Sequence, residues 1–252
     1  MLLAIDVGNT MTDFGVFDGG KLIATYKFET KSVTSADDAS VKGAGFKMLN
    51  NEVGDIDGVI ISSVVPSKTT FYAQMSKKLW GIKALTMGPG LKSGLKLKCD
   101  YPNEVGADLI ADCVGVSSKY GNGFLIVDLG TANKYIYLDK EGAFAGVSIA
   151  PGVGISLNAL VSGAANLPDI GLKIPKNVIG KNTLDCMNSG IVYGTEFEIE
   201  GFAKAFEKEA GYPLKKILTG GNARYVADLF PDYIYDENVL LCGLATIYSR
   251  RK

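Results

Sequence analysis

Along the first 28 residues the apolar positions fall into three short β-type runs, LLAIDV, TDFGVF and KLIATYKF, with Asp18-Gly19-Gly20 between the last two as a hairpin turn. The stretch TSADDASVKGAGFKMLNN then changes to a helical pattern, with Ser35 as candidate N-cap and Asp37 and Asp38 in the first turn. VIISSVV, residues 59–65, reads as a fully buried strand that Pro66 breaks, and the pattern predicts a helix over 68–80 and a short strand near KALTM. The segment GPGLKSGLKLKCDYPNEVGAD, with four glycines and two prolines, reads as a loop leading into a helix near 107–119.

The opening pattern then recurs. FLIVDLGTANKYIYLDKEGAFAGVSI, residues 124–149, repeats the order of strand, D-x-G, Thr-containing turn, strand, acidic-Gly turn and strand. Asp128 stands to Asp6 and Gly130 to Gly8 at an offset of 128 minus 6, or 122 residues, close to half the chain. Self-similarity at that spacing predicts two related α/β halves, 1–118 and 119–252. The second half continues with a helix after Pro151, a long helical stretch over 183–210, a strand KKILTGG and a closing helix over 238–250.

Composition narrows the chemistry. No apolar run approaches the roughly 20 residues of a membrane span. The opening MLLAIDV lacks a basic start and is interrupted early by Asp6, so the expectation is a cytoplasmic chain without a secretory leader. The net charge of -1, with basic residues clustered only at Arg250, Arg251 and Lys252, gives no nucleic-acid surface. Cys99, Cys113, Cys186 and Cys242 are widely spaced and contain no C-x-x-C pair, so they are expected as reduced core residues rather than a zinc cluster. The chain has no histidine, which excludes every mechanism using imidazole as base, ligand or shuttle. A proton taken near neutral pH must go to a carboxylate, a shifted lysine or a metal-bound water.

Two D-x-G turns, one per half, suit phosphate. Backbone N–H groups of such turns donate to phosphate oxygens, Asn9, Thr10 and Thr131 add donors, and the aspartates hold the neutralising cations. A single D-x-G-x-T is ordinarily an Asx-type turn; two at half-length favour the phosphate reading. GVFDGGKL spells G-x-x-x-x-G-K, but a P-loop needs Ser or Thr next and a helix after it, and Leu22 stands within a strand run instead. No G-x-G-x-x-G follows a strand, so a dinucleotide fingerprint is absent. Thr219-Gly220-Gly221-Asn222-Ala223 is read as lying between a strand and a helix, either as a plain Gly-rich strand exit or as a helix N-terminus that approaches a nucleotide. AGVSIAPGVGISL, residues 145–157, has the same form, with Pro151 at a helix start.

These motifs together resemble the type III pantothenate kinases, within the superfamily of acetate and sugar kinases, Hsp70 and actin. The resemblance rests on DVGNT at 6–10, ISSVVP at 61–66, the 88–108 segment, VDLGTA at 127–132, APG at 150–152, NT at 182–183 and TGG at 219–221. It implies two duplicated RNase H-like halves of the actin-like ATPase kind with a nucleotide cleft between them. It also implies ATP-dependent phosphorylation of pantothenate to 4'-phosphopantothenate, the first step toward coenzyme A, by a homodimer using magnesium and a monovalent cation, K+ or NH4+. Carried across, it puts Asp6, Val7, Gly8, Asn9, Thr10 and Thr131 at the ATP phosphates, with Asp6 also on the metal. Asp128 would hold the monovalent cation, Asp108 would accept the proton of the substrate hydroxyl, and Gly106, Ala107 and Thr183 would line the pantothenate pocket.

The chain departs from the family pattern at named positions. Leu109 stands where the family has the arginine of G-x-D-R, the residue expected to grip the substrate, and Cys99 replaces an aromatic residue. Asn133 and Lys134 replace small hydroxyl residues, and Asn222 replaces the acid after TGG. Two alternatives follow: a kinase of another small hydroxylated substrate, or a non-catalytic nucleotide-binding regulator of the same fold.

Overall fold

The computed structural model of the protein describes residues 1–88 and 91–251. Pro89 and Gly90 of the 88–108 segment, and Lys252 of the basic tail, lie outside the described residues. In chain order the elements are β1 (Leu2–Val7), β2 (Met11–Asp18), β3 (Lys21–Glu29), α1 (Ala36–Leu49), β4 (Gly58–Ser63), α2 (Pro66–Trp80), β5 (Leu85–Thr86), β6 (Lys96–Leu97) and α3 (Ala107–Tyr120). They continue with β7 (Phe124–Leu129), β8 (Ala132–Leu138), β9 (Ala143–Pro151), α4 (Val153–Gly163), α5 (Thr183–Ala210), β10 (Lys215–Thr219), β11 (Ile234–Tyr235) and α6 (Val239–Ser249). Two compact units result: Met1–Gly121 together with the segment from Val239 onward, and Asn122–Asn238.

The first unit is a sheet in the order β3-β2-β1-β4-β5. β1 pairs antiparallel with β2 and parallel with β4, so it lies in the middle and reads as a near-continuous apolar run. Gly19 and Gly20 both have positive φ, 55° and 86°, the geometry that a two-residue hairpin between twisted strands requires. Leu3, Ile5 and Val7 face one way, into a core with Phe14, Phe46, Tyr72 and Met75 from β2, α1 and α2. Ala4 faces the other way, against Ala111 and Val114 of α3 and Leu241 and Leu244 of α6. Strand alternation therefore assigns Asp6 to the face that α3 covers.

In the second unit β7 pairs antiparallel with β8 and parallel with β10, β8 pairs with β9, and β10 with β11. The order β9-β8-β7-β10-β11 repeats that of the first unit with the same strand directions, as the internal repeat predicts. Leu125, Val127 and Leu129 pack with Val192, Ile199 and Ala203 of α5. Asp128 lies on the opposite face, as Asp6 does in its own sheet.

Several local readings change. Pro66 does more than end a strand: it is the first residue of α2, where its missing N–H costs nothing. Gly152 rather than Pro151 caps α4, because Pro151 still pairs in β9. After TGG the chain makes two 3-10 turns, Ala223–Tyr225 and Ala227–Leu229, and no α-helix begins there. The closing helix, expected with the second half, packs on α3 in the first unit. Of the four cysteines only Cys113 is buried; Cys99 and Cys242 are half-buried, and Cys186, in the first turn of α5, is exposed. Burial, and then the Asp112 carboxylate, push the Cys113 thiol well above its usual range. Among the described residues no helix is long and apolar enough to cross a membrane.

Candidate active site

The turn after β1 closes with Gly8 N–H donating to Met11 O at 3.0 Å. A Cβ on Gly8 would meet that carbonyl at 2.9 Å, so glycine is needed for the close approach. Asn9 and Thr10 are exposed at its tip. A hydrogen-bonded chain braces it from within. Tyr72 donates to Thr12 Oγ1 at 3.4 Å, Thr12 and Thr30 hydroxyls lie 2.9 Å apart, and Thr30 donates to Gly8 O at 2.8 Å. Thr30 N–H also bonds Thr10 O at 2.9 Å. All three side chains are buried, and such a chain leaves the turn little freedom. No sequence motif announced it. The ISSVVP motif adjoins the same turn: Asp6 pairs in register with Ser62, and Val64 N–H bonds Val7 O at 3.0 Å.

Asp108 lies in the first turn of α3 and its Oδ1 accepts from Leu109 N–H at 2.9 Å. A Cβ on Gly106 would come within 2.4 Å of that oxygen, so the carboxylate occupies the room this glycine leaves. Ala107 packs in the cluster around Ala4, on the sheet face to which Asp6 belongs. Leu109 is 7% exposed. With Cys113 and Val116 it forms an i, i+4, i+7 apolar stripe on α3.

In the second unit Gly130 N–H bonds Ala132 O at 3.2 Å, a turn one residue shorter than its counterpart. Thr131 is exposed at its tip. A Cβ on Gly152 would meet Thr131 O at 2.2 Å and Gly130 O at 2.6 Å, so the APG motif lies directly against this turn. The TGG loop is tied to it as well. Asn222 N–H donates to Leu129 O and Asn222 Nδ2 donates to Gly130 O, each at 2.8 Å. Asp128 Oδ2 accepts from Lys134 Nζ at 2.5 Å. The departure at Asn222 is thus a latch that an acid could not provide. Asn222→Asp replaces a donor by a repelling oxygen and is expected to cost about 1 to 3 kcal/mol. At about 2 to 4 °C per kcal/mol that is read directly as a lowered Tm. An unchanged Tm would mean that the latch contributes nothing.

The NT motif opens α5: Asn182 is the N-cap, its Oδ1 accepting from Asp185 N–H at 3.0 Å and its Nδ2 donating to Asp185 Oδ2 at 2.7 Å. Thr183 beside it lines an open cavity of about 560 Å³ with Leu160, Leu167, Lys181, Cys186 and Met187. A cavity of about 540 Å³ in the first unit, lined by Lys47, Met48 and Trp80, contains none of the expected site residues.

The sequence profile of the type III pantothenate kinase family matches residues 2–205. A protein named type III pantothenate kinase from Geobacillus sp. (strain WCH70) is 40% identical over 255 residues, covering 99% of this chain and 98% of that one. The chain belongs to the type III pantothenate kinase family. Among solved structures, a Baf family protein from Campylobacter jejuni is similar with a TM-score of 0.62 at 16% identity, covering 99% of this chain and 98% of that chain. An archaeal actin homologue is similar at 0.55 and 13% identity, covering 100% and 99%. These two likenesses show the actin-like fold.

A type III pantothenate kinase is an ATP-using enzyme with a small-molecule substrate, and the two turns suit the phosphate end of such a reaction. Each unit brings its expected residues together: Asp6, Gly8, Asn9 and Thr10 with Ser62, and Asp128, Gly130 and Thr131 with the TGG loop. Among the described residues no three acidic or cysteine side chains gather into a metal cage. That is compatible with magnesium, which binds through one or two carboxylates together with substrate phosphates. A free monovalent ion at Asp128 fits less well, because Lys134 already holds one of its oxygens.

Proposed function

We infer that the protein transfers the γ-phosphoryl group of ATP to the hydroxyl of pantothenate, giving 4'-phosphopantothenate and ADP. The observation that carries this reading is the full-length similarity to proteins of that name, 40% over 99% of the chain, with the DVGNT and VDLGTA motifs present. In this reading Asn9, Thr10 and Thr131, with the backbone N–H groups of both turns, hold the phosphates. Asp6 is the carboxylate for magnesium, which supplies neutralisation of phosphate charge when bound. Val7 and Gly8 shape the backbone under the first turn. Asp108 accepts the hydroxyl proton as the oxygen–phosphorus bond forms and the bond to ADP breaks, and a carboxylate is sufficient because such transfer rests on positioning and charge neutralisation. Gly106, Ala107, Leu109 and Thr183 are the residues read against pantothenate.

A homodimer in the cytoplasm is part of the same reading. What supports pairing is an exposed apolar set on α4 and α5, namely Ile155, Leu160, Leu184 and Phe197.

The test is purified protein with ATP, magnesium and pantothenate, the product identified by its mass. Turnover is expected. Because Leu109 is apolar and buried, the carboxylate of pantothenate lacks the charge-assisted bond an arginine would give, roughly 1.5 to 3 kcal/mol or about 10- to 150-fold in affinity. The enzyme should therefore prefer pantothenate over its uncharged alcohol, pantothenol, by no more than about 10-fold in kcat/KM. A much steeper preference would mean that another cation grips the carboxylate. No product from pantothenate by a protein that binds ATP would shift the reading to another hydroxylated substrate or to a binding role.

A further inference from the structure

Asp128 and Lys134 are register partners across the β7–β8 hairpin, and Lys134 Nζ stands 2.5 Å from Asp128 Oδ2. The two side chains are 8% and 18% exposed. The other carboxylate oxygen is closed in by the TGG loop: a Cβ on Gly220 would lie 2.2 Å from Asp128 Oδ1 and 2.7 Å from both Leu129 N and O. A carboxylate so enclosed needs a positive charge beside it, and an ammonium at this distance supplies one.

The first unit has a different cross-strand register. There the register partner of Asp6 is Asp13, a second acid, which is itself 3.1 Å from Lys27. The difference comes from turn length. Gly8 N–H reaches Met11 O, whereas Gly130 N–H reaches Ala132 O, so the position facing the aspartate is seven residues on in the first unit (13 minus 6) and six in the second (134 minus 128). The shorter turn brings Lys134 opposite Asp128.

We propose that Lys134 is a tethered monovalent cation: its ammonium occupies the place at Asp128 that the family resemblance gives to K+ or NH4+, and the protein works without either ion. An alkylammonium carries the charge of those ions and is close to them in size. Being covalently attached, it does not depend on their concentration. The consequence for nucleotide binding rests on the kinase reading above; the ion pair itself does not.

Two measurements test this, each in KCl, NH4Cl and choline chloride at equal ionic strength: thermal unfolding without nucleotide, and ATP affinity by calorimetry. For the unmodified protein Tm should agree within about 1 °C and affinity within about 2-fold across the three salts. Lys134→Thr leaves the enclosed carboxylate uncompensated. In choline it should lose about 5 °C or more in Tm and about 10-fold in ATP affinity, with both recovered by K+ or NH4+. An unmodified protein that gains 10-fold or more in affinity, or several degrees, from K+ over choline overturns the proposal. So does a folded Lys134→Thr protein indifferent to K+. If that variant does not fold, the salt comparison on the unmodified protein decides alone. Absence of ATP binding in every salt would remove the kinase reading, while nucleotide-free unfolding would still decide this one.

Discussion

Asp108→Asn is expected to lower kcat for phosphorylation by about 10²-fold or more while leaving ATP affinity within about 2-fold. The substitution is close to isosteric. An amide oxygen can still accept from Leu109 N–H, the bond that Asp108 Oδ1 makes at 2.9 Å, and the room over Gly106 is filled as before. What disappears is the capacity to take a proton, and no histidine exists anywhere in the chain to substitute. The negative charge at the N-terminal turn of α3 also goes, which costs about 0.3 to 1 kcal/mol of stability and at most a few degrees in Tm. Steady-state rates with pantothenate, beside calorimetric ATP binding, separate the two effects. Turnover equal to that of the unmodified protein would remove Asp108 from the chemistry.

Gly243→Ala is expected to be the most damaging single-methyl change in the first unit. Where α6 crosses α3, a Cβ on Gly243 would lie 1.9 Å from Ala111 O, 2.7 Å from Ala111 C and 3.0 Å from Gly115 N. The reciprocal Cβ on Gly115 would lie 2.1 Å from Val239 O. Every one of these neighbours is backbone, so no side chain can turn aside and the helices must separate. Overpacking of this kind costs about 3 kcal/mol or more, or a Tm lower by roughly 6 to 12 °C. Gly201→Ala in α5 is the internal comparison, since a Cβ there has nothing within 4 Å. In an open helical position alanine gains about 0.5 to 1 kcal/mol over glycine, so its Tm should rise. Two melts with the same sign would refute the account of the α3–α6 contact.

The elements most legible in the sequence are those whose cause lies within a few residues. Asp18-Gly19-Gly20 signals its hairpin because both glycines take positive φ. Ser35 signals α1 because its hydroxyl accepts from Asp38 N–H three residues on, at 3.1 Å. The repeat was legible for the same reason: each half encodes its own strand-turn-strand order, and the same order of five strands recurs in both sheets. The reading failed where a short segment owes its form to distant partners. β11 is two residues long and exists through pairing with β10. The stretch after TGG winds as 3-10 turns instead of an α-helix, its first residue held by Asn222 N–H to Leu129 O.

The sequence by itself determined the kinase family, the two D-x-G turns, the absence of any histidine and the departure at Leu109, because residue identity alone fixes what can donate, accept or carry charge. Only the tertiary structure decided how those residues are held. The chain from Tyr72 through Thr12 and Thr30 to Gly8 spans 60, 18 and 22 residues of sequence, and the Asn222 latch spans 92. The ion pair of Asp128 with Lys134 depends on the shortening of one turn by one residue, which changes the cross-strand partner of every position beyond it. Leu109 could be read as a missing arginine, but its place in the buried stripe of α3, and the membership of α6 in the first unit, follow from which helix faces close against which sheet face. Composition and periodicity describe one element at a time, whereas that closure is a property of several packed together.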